Sequence, residues 1–387
     1  MDVRWSSSLL ILTLGITGCG ARGQAAPGHQ ASGNSLSSDN LNPGVLQAGW
    51  KTDFDKHVVP VSEIASGGPG KDGIPAIDRP KFAPVAATTF IKAGEPVLVV
   101  TIANQTHAYP YQIMIWHEIA NDTVGGTPVA VTFCPLCGTG VAFDRSVGGQ
   151  TTTFGTTGNL RNSDLVMYDR ATETWWQQAT GEGLVGTHAG DHLRFVSALT
   201  LSWDDVRRDY PQAVVLQRDT GYTRRYGENP YPGYDDINSH PFLFSGKADG
   251  RLPAMTRVLG VRADGRARAY PFQVLQAHGA INDSIGAQPA VVLYKPGVRS
   301  ALDTQALADG RPVGTATAWD PRIEGRLLVF AAKGDGQFRD EQTGSSWNIA
   351  GTAISGSLAG RQLTPVVGFT SFWFAWAALD TTDIYRG

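Results

Sequence analysis

Two cysteines separated by two residues are the most chemically reactive feature of the chain. Cys134 and Cys137 lie in the segment CPLCGTG (134–140), after the apolar run PVAVTF (128–133) and before the alternating run VAFDR (141–145). This pattern predicts a tight turn between two strands. Backbone amides in such a turn stabilise thiolates, as in the metal-binding knuckles of zinc ribbons. Because Gly-Thr-Gly follows the second cysteine, the thioredoxin arrangement, in which a helix follows, is disfavoured.

One CxxC pair supplies two metal ligands, whereas a tetrahedral structural site needs four. We predict His117, on a helix before the strand that ends at Cys134, as the third ligand. The alternative for His117 is a core histidine, bonded to the backbone or to the Asn-Asp pair that follows. Thiolate ligands favour copper or zinc. A redox-active dithiol and a structural disulfide remain the competing interpretations of the cysteine pair.

A long internal repeat organises the chain around these residues. Residues 108–131 match residues 269–292 without a gap, and the match resumes downstream over a comparable distance. The repeat predicts two copies of one unit, packed with pseudo-twofold symmetry. Tryptophans that recur in both copies are predicted to be core residues. The recurring residues include His117 with His278, Asp169 with Asp340, Thr172 with Thr343, Trp176 with Trp347, and Trp203 with Trp373.

The two copies differ at the residues that could do chemistry. Lys295 and Val298 match Cys134 and Cys137, so the fold does not need the thiols. Glu118 matches Gly279 and is therefore a candidate general base or a group that supports the ligands. Candidate substrate-contact residues lie in and after the cysteine turn and in the polar segment 154–178. They are Thr139, Arg161, Asn162, Asp164 and Arg170.

Each copy is expected to contain a strand, a helix of about three turns that begins after a proline (109–120 in the first copy), a Gly-Gly turn and a second strand. With 46 glycines and 22 prolines, long helices should be scarce. The sequence therefore predicts a β-rich α+β fold with mixed or antiparallel sheets and few short helices. An aromatic, proline-rich segment (224–242), called the connector below, either wraps the core or forms a wall of the site.

The N-terminus predicts export. A short apolar run after Arg4 leads into Cys19, as in a signal peptide (1–19) followed by a lipidation cysteine. Residues 20–45 are small and polar and read as a flexible tether. The first repeat unit then covers 46–245 and the cysteine-free second unit 246–387. We expect a lipid anchor in the membrane and a location in the periplasm or at the cell surface.

Charge and motifs exclude several functions. The net charge is -3 and no basic block is present, so nucleic-acid binding is disfavoured. No Walker, Rossmann, HExxH or Ser-His-Asp signature appears, and no nucleotide cofactor is expected. The protein or small-molecule partner is not identified by any motif.

Several long segments are similar to one known family. They are AYP (108–110), HEIANDTVGG (117–126), VTFCPLCGTGVAFDR (131–145), FGTTGNLRNSDLVMYDRATETWWQQ (154–178) and SFWFAWAALDTTDIY (371–385). Together they closely resemble the prokaryotic family known as domain of unknown function 3179, over about 97–385. The resemblance implies an exported protein, and because the family has no established activity it supplies no mechanism.

The sequence thus predicts an extracytoplasmic lipoprotein that binds copper or zinc through the CxxC turn. Two alternatives remain open. One is a thiol-disulfide oxidoreductase that uses Cys134 and Cys137. The other is a non-enzymatic binding or assembly module in which the cysteines form a structural disulfide.

Overall fold

The computed structural model describes residues 49–244, here called the first half, and 246–387, the second half. The predicted signal peptide, Cys19 and the predicted tether lie outside the described residues. Within the described ranges, no helix combines the length and the apolar character needed to cross a membrane.

Most of the regular elements in the first half are strands. Its two helices are α1 (Tyr111–His117) and α2 (Trp203–Asp209). Its strands are β1 (Ile64–Ser66), β2 (Phe82–Pro84), β3 (Pro96–Ile102), β4 (Gln105–Pro110), β5 (Ile119–Val124), β6 (Thr127–Cys134), β7 (Thr139–Asp144), β8 (Ser146–Val147), β9 (Gln150–Thr151), β10 (Phe154–Arg161), β11 (Asp164–Asp169), β12 (Trp175–Gln177), β13 (Gly183–Val185), β14 (Phe195–Val196), β15 (Ala198–Ser202) and β16 (Val214–Leu216).

The second half has the same character. Its helices are α3 (Phe272–His278) and α4 (Trp373–Leu379). Its strands are β17 (Arg257–Ala263), β18 (Arg266–Pro271), β19 (Ala280–Ile285), β20 (Gln288–Lys295), β21 (Thr315–Asp320), β22 (Arg322–Ile323), β23 (Arg326–Leu327), β24 (Phe330–Gly334), β25 (Gln337–Asp340), β26 (Ser346–Trp347), β27 (Ala353–Ser355), β28 (Thr364–Pro365), β29 (Gly368–Phe372) and β30 (Thr382–Ile384). The predicted β-rich fold with few short helices is confirmed for the described residues.

Each half contains three larger sheets, and the strand orders of the sheets in one half correspond to those in the other. In the first half the orders are β15-β3-β4-β16-β2, β14-β7-β6-β5 and β1-β10-β11-β12-β13. In the second half they are β29-β17-β18-β30, β28-β21-β20-β19 and β24-β25-β26-β27. Pairing is antiparallel except for β4 with β16 and β18 with β30, which are parallel at equivalent places.

Helix α1 is shorter than predicted. It ends at His117 after seven residues, because Glu118 has a φ of 59°, and β5 begins at the next residue. Gly279 ends α3 in the same way with a φ of 71°. The expected Gly-Gly turn is present between β5 and β6, where Gly125 and Gly126 both have positive φ, as a tight two-residue hairpin requires.

The recurring tryptophans are core residues, as predicted: Trp176, Trp203, Trp347 and Trp373 are at most 2% exposed. Equivalent hydrogen bonds surround two of them. The indole nitrogen of Trp176 donates to Asp169 at 3.0 Å and that of Trp347 to Asp340 at 2.9 Å. Asp169 also forms a turn, because its carboxylate accepts the backbone N–H of Thr172 at 2.7 Å.

The halves differ in two loops. Four residues (135–138) join β6 to β7, whereas 19 residues (296–314) join β20 to β21. Lys295 pairs with Thr315 as Cys134 pairs with Thr139, so Lys295 does occupy the register of Cys134. Val298, which the sequence alignment matched to Cys137, instead lies in the long loop, where no equivalent turn exists.

The second difference is the length of one hairpin. The β10–β11 hairpin runs for 16 residues from Phe154 to Asp169, whereas its counterpart runs for 11 residues from Phe330 to Asp340. The first residue of each hairpin is held by an asparagine. Asn121 bonds the backbone N–H and C=O of Phe154, and Asn282 bonds those of Phe330. The first-half hairpin therefore reaches further.

Candidate metal centre

The cysteines lie where β6 turns into β7. Cys134 is the last residue of β6 and pairs with Thr139, the first residue of β7. Gly138 closes the turn with a φ of 69°, a backbone conformation that favours glycine. Both cysteines are free thiols, and their exposed fractions are 1% for Cys134 and 0% for Cys137. The predicted tight turn is present, and it is buried.

The tip of the longer β10–β11 hairpin brings Asp164 to the thiols. Asn162 and Ser163 form the two-residue turn with φ values of 53° and 64°, and Asp164 follows with no exposed surface. The thiol of Cys137 donates to Oδ1 of Asp164 at 3.0 Å. The thiol of Cys134 points at the carbonyl oxygen of Ser163, 3.9 Å away.

Cys134, Cys137 and Asp164 form a group able to hold a metal ion. Each offers one ligand atom, and these atoms all lie within 4.8 Å of one another. Zinc–sulfur bonds of about 2.3 Å at tetrahedral angles place two thiolates about 3.8 Å apart. The spacing of the group therefore suits one ion without rearrangement of the backbone.

Glutamine side chains hold the carboxylate and the turn in place. Gln177 and the backbone N–H of Ala179 donate to Oδ2 of Asp164. Gln178 donates to the hydroxyl of Thr132 at 2.8 Å and to the carbonyl oxygen of Thr139 at 3.2 Å. The bonds from Gln177 and Ala179 orient the carboxylate and those from Gln178 hold the turn, as outer partners of metal ligands do.

Burial controls the protonation of the site. It raises the pKa of the Cys134 thiol and, with the neighbouring Cys134 and Asp164, raises the pKa of Cys137 well above its usual range. Burial also raises the pKa of Asp164, against the hydrogen bonds that it accepts. Without a cation the thiols therefore keep their protons at neutral pH, and a bound cation would reverse this preference.

Glu118 is buried beside this group at a position with unfavourable backbone geometry. Its φ and ψ are 59° and -31°, close to the 71° and -44° of Gly279 in the second half. The side chain is 8% exposed. Burial, and next the charge of Asp164, raise the pKa of its carboxyl to about 8, and no hydrogen bond from a described residue offsets them. The charge of Glu118 also acts on Cys134.

His117 is not brought to the thiols. Its Nδ1–H donates to the carbonyl oxygen of Pro75, and Nε2 accepts from the hydroxyl of Tyr226, both at 2.7 Å. Burial lowers the pKa of the imidazole to about 4, so it is neutral. Both ring nitrogens have protein partners, and the core-histidine alternative describes this geometry. Asp164, predicted as a substrate-contact residue, is the residue that lies with the two thiols.

The remaining candidates take different positions. Thr139 is fully buried, and its hydroxyl donates to the carbonyl oxygen of Cys137 at 3.4 Å. Asn162 forms the hairpin turn, and Arg161 pairs with Glu63 at 2.8 Å. Arg170 bonds Asp78 and Asp72 and lies outside the cysteine group.

The connector forms a wall of the site. The hydroxyl of Tyr234 donates to the carbonyl oxygen of Leu136 in the cysteine turn at 2.9 Å and accepts the N–H of Phe242 at 3.3 Å. Burial, and next the charges of Glu118 and Cys134, raise the pKa of the Tyr231 hydroxyl above its usual range. The connector tyrosines, Ser163, Gln177 and Gln178 were not predicted. Gln178 carried one signal, because its counterpart in the repeat is Ile349.

The fold and the site together define a β-rich protein with a buried Cys-Cys-Asp group that can hold a metal ion. The chain belongs to the family described as Protein of unknown function (DUF3179), whose model matches residues 71–382. Comparisons with curated proteins and with solved structures gave no match.

Proposed function

We propose that the protein binds a transition metal ion, zinc or copper, through Cys134, Cys137 and Asp164. The observation that carries this proposal is the convergence of three buried donor atoms within 4.8 Å. Two of these donors come from one turn and the third from a hairpin tip 27 residues away from Cys137. A bound cation would favour the thiolate forms and neutralise the charge of the buried donors.

The differences between the halves support a functional origin of the group. We regard the halves as copies of one unit, because their sheets have matching strand orders and their Asp-Trp pairs have the same hydrogen bond. Within that frame the second copy has Lys295 in place of Cys134 and a shorter hairpin in place of the one that carries Asp164. The unit folds without the group, so the group serves another purpose than folding.

The alternatives meet less support. An oxidoreductase needs an accessible thiolate with a lowered pKa, whereas both thiols here are buried and burial raises their pKa values. A structural disulfide needs a covalent bond, and both thiols are free. The location that we propose, an extracytoplasmic lipoprotein anchored through Cys19, rests on the N-terminal sequence alone.

Metal analysis of the protein, purified without chelator under reducing conditions, tests the proposal. We expect about one zinc or copper ion per chain in the wild type and loss of that ion in the Cys134→Ser/Cys137→Ser variant. The matched control is Cys19→Ser, which leaves the proposed group intact. The absence of metal from the wild type, or equal metal in the double variant, would contradict the proposal.

A further inference from the structure

We propose that Glu118 is the fourth ligand of the metal and that the site is a closed, four-coordinate zinc site. This inference rests on the proposed metal binding and adds the fourth ligand and the identity of the ion. It follows from the enclosure of the site, the position of Glu118 and the chemistry of the resulting set of donors.

The enclosure of the site requires a ligand from the protein. Structural zinc sites have four protein ligands, whereas catalytic sites keep one position open to water or substrate. Cys134, Cys137 and Asp164 are each at most 1% exposed. A cavity of about 170 Å³ between the halves is lined by parts of 140–141, 195–200, 316–318 and 365–370, and none of the three donors lines it. The burial of the three donors therefore favours a fourth ligand from the protein over an open position.

The backbone C=O of Glu118 accepts the N–H of Phe133, next to Cys134, at 2.8 Å, and the Glu118 carboxylate has no hydrogen bond with a described residue. The hydroxyl of Tyr231 and Oε1 of Gln178 also have no hydrogen-bond partner among the described residues. Carboxylate is an ordinary zinc ligand, whereas a phenol is not among the usual ones. The Glu118 carboxylate lies outside the group that spans 4.8 Å, so its side chain must rotate toward the ion. No hydrogen bond holds it back from that movement.

The backbone at position 118 indicates that glutamate is placed there for a reason other than folding. A side chain in this left-handed region costs about 1 kcal/mol or more relative to glycine, and the second half has Gly279 at this place. The fold thus accepts glycine here, yet the first half carries a buried carboxylate. Both the backbone conformation and the burial of Glu118 destabilise the fold. Binding a metal ion would give the carboxylate a partner and offset this cost.

The donor set identifies the ion. Two thiolates and two carboxylates around a divalent cation leave a net charge of two negative, the same as a zinc site with four cysteines. Copper(I) prefers soft sulfur donors, and carboxylates are poor ligands for it. Zinc accepts sulfur and oxygen donors in one tetrahedral shell. The mixed set therefore favours zinc over copper.

Two variants separate ligation from folding. In Glu118→Gly we expect zinc affinity, measured by competition with a chromophoric chelator, to fall at least tenfold. We expect the melting temperature of the metal-free variant to rise, because the left-handed backbone is relieved. The matched control is Glu324→Gly, at an exposed residue with a φ of 49°. It should also relieve the backbone but leave zinc affinity unchanged. Glu118→Gln, which keeps the side-chain size, should lose affinity as well.

X-ray absorption of the zinc-loaded wild type should show two sulfur atoms at about 2.3 Å and two oxygen atoms at about 2.0 Å. Unchanged zinc affinity in Glu118→Gly and Glu118→Gln, preferential binding of copper, or loss of affinity in Tyr231→Phe instead would overturn the inference and leave the metal proposal standing. Failure of the wild type to bind any metal would overturn both.

Discussion

The thiol of Cys137 and the carboxylate of Asp164 are joined by a 3.0 Å hydrogen bond, although 27 residues separate them in the sequence. The bond links the β6–β7 turn to the tip of the β10–β11 hairpin. Neither partner has more than 1% of its surface exposed. In the metal-free protein this contact holds together the two segments that supply the proposed ligands.

Replacing Asp164 should destabilise the metal-free protein. Asp164→Ala removes the acceptor for Gln177, Ala179 and Cys137 and leaves buried donors unsatisfied. We expect the free energy of unfolding in urea to fall by about 2–4 kcal/mol. Asp219→Ala, at an exposed carboxylate, is the control and should change it by less than about 0.5 kcal/mol. Similar values for the two variants would show that the network around Asp164 contributes little.

Ionisation of Glu118 should make the stability of the protein depend on pH. Its carboxyl has a pKa of about 8 in the folded protein and the ordinary 4.5 when unfolded. Between these values the folded state binds the extra proton of Glu118. Above pH 6.5 no opposing change comes from His117, so the metal-free protein should lose about 2 kcal/mol of stability as pH rises from 6.5 to 8. Urea unfolding at several pH values measures this slope. Glu118→Gln should flatten it, and a slope that persists would argue against a buried, protonated Glu118.

His117 should change the stability of the protein with pH in the opposite direction to Glu118. Its pKa is about 4 in the fold and the ordinary 6.5 when unfolded, so the unfolded state binds more protons between these values. Stability should therefore fall by about 3 kcal/mol as pH drops from 6.5 to 4. Comparing Glu118→Gln with the double variant that adds His117→Gln isolates this effect. An unchanged slope in the double variant would contradict the neutral, buried histidine.

Gly158 should be essential to the longer hairpin. It has a φ of 78°, and an added Cβ would lie 1.8 Å from the carbonyl oxygen of Pro69. Gly158→Ala should lower the free energy of unfolding by about 3 kcal/mol or more, because backbone atoms must move. Gly149→Ala is the control, since Gly149 has a φ of 80° and open space around its Cβ position. Gly149→Ala should lower the free energy of unfolding by only about 1 kcal/mol. Equal decreases in the two variants would refute the steric explanation.

The thiols should resist alkylation in the native protein. Because Cys134 and Cys137 are buried, iodoacetamide should modify the peptide that contains them at least a hundredfold more slowly in buffer than in guanidinium, as measured by mass spectrometry. Tyr234→Ala removes the bond to Leu136 and should speed the native reaction. Rapid native alkylation of the wild type would restore the oxidoreductase alternative.

The sequence predicted the strands and helices better than it predicted which residues meet in the folded protein. Alternating apolar runs and glycine turns marked the strands, and the repeat identified the core tryptophans. The end of α1 was misplaced by three residues, because the apolar pattern continues through Ile119 and Ala120 while the backbone turns at Glu118. The spacing of apolar residues does not predict the change of backbone direction at Glu118.

The candidate site was predicted in part. The turn that holds Cys134 and Cys137 is local and could be inferred from residue types. Asp164 reaches it through the length of a hairpin, which depends on strand register across the whole sheet. His117 is near in sequence order but its ring faces Pro75 and Tyr226. Asp164 was among the candidate substrate-contact residues, but its contact with the thiols depends on this long-range geometry and could not be inferred from the sequence.

The connector has a kinetic consequence. It is tied to the cysteine turn through Tyr234 and to the 296–314 loop of the second half, where Asp235 accepts hydrogen bonds from Ser300 and Arg311. A metal ion bound by the proposed group would leave only when this segment opens. Its dissociation should therefore be slow and independent of chelator concentration, so that residence time is set by the connector and affinity by the ligands.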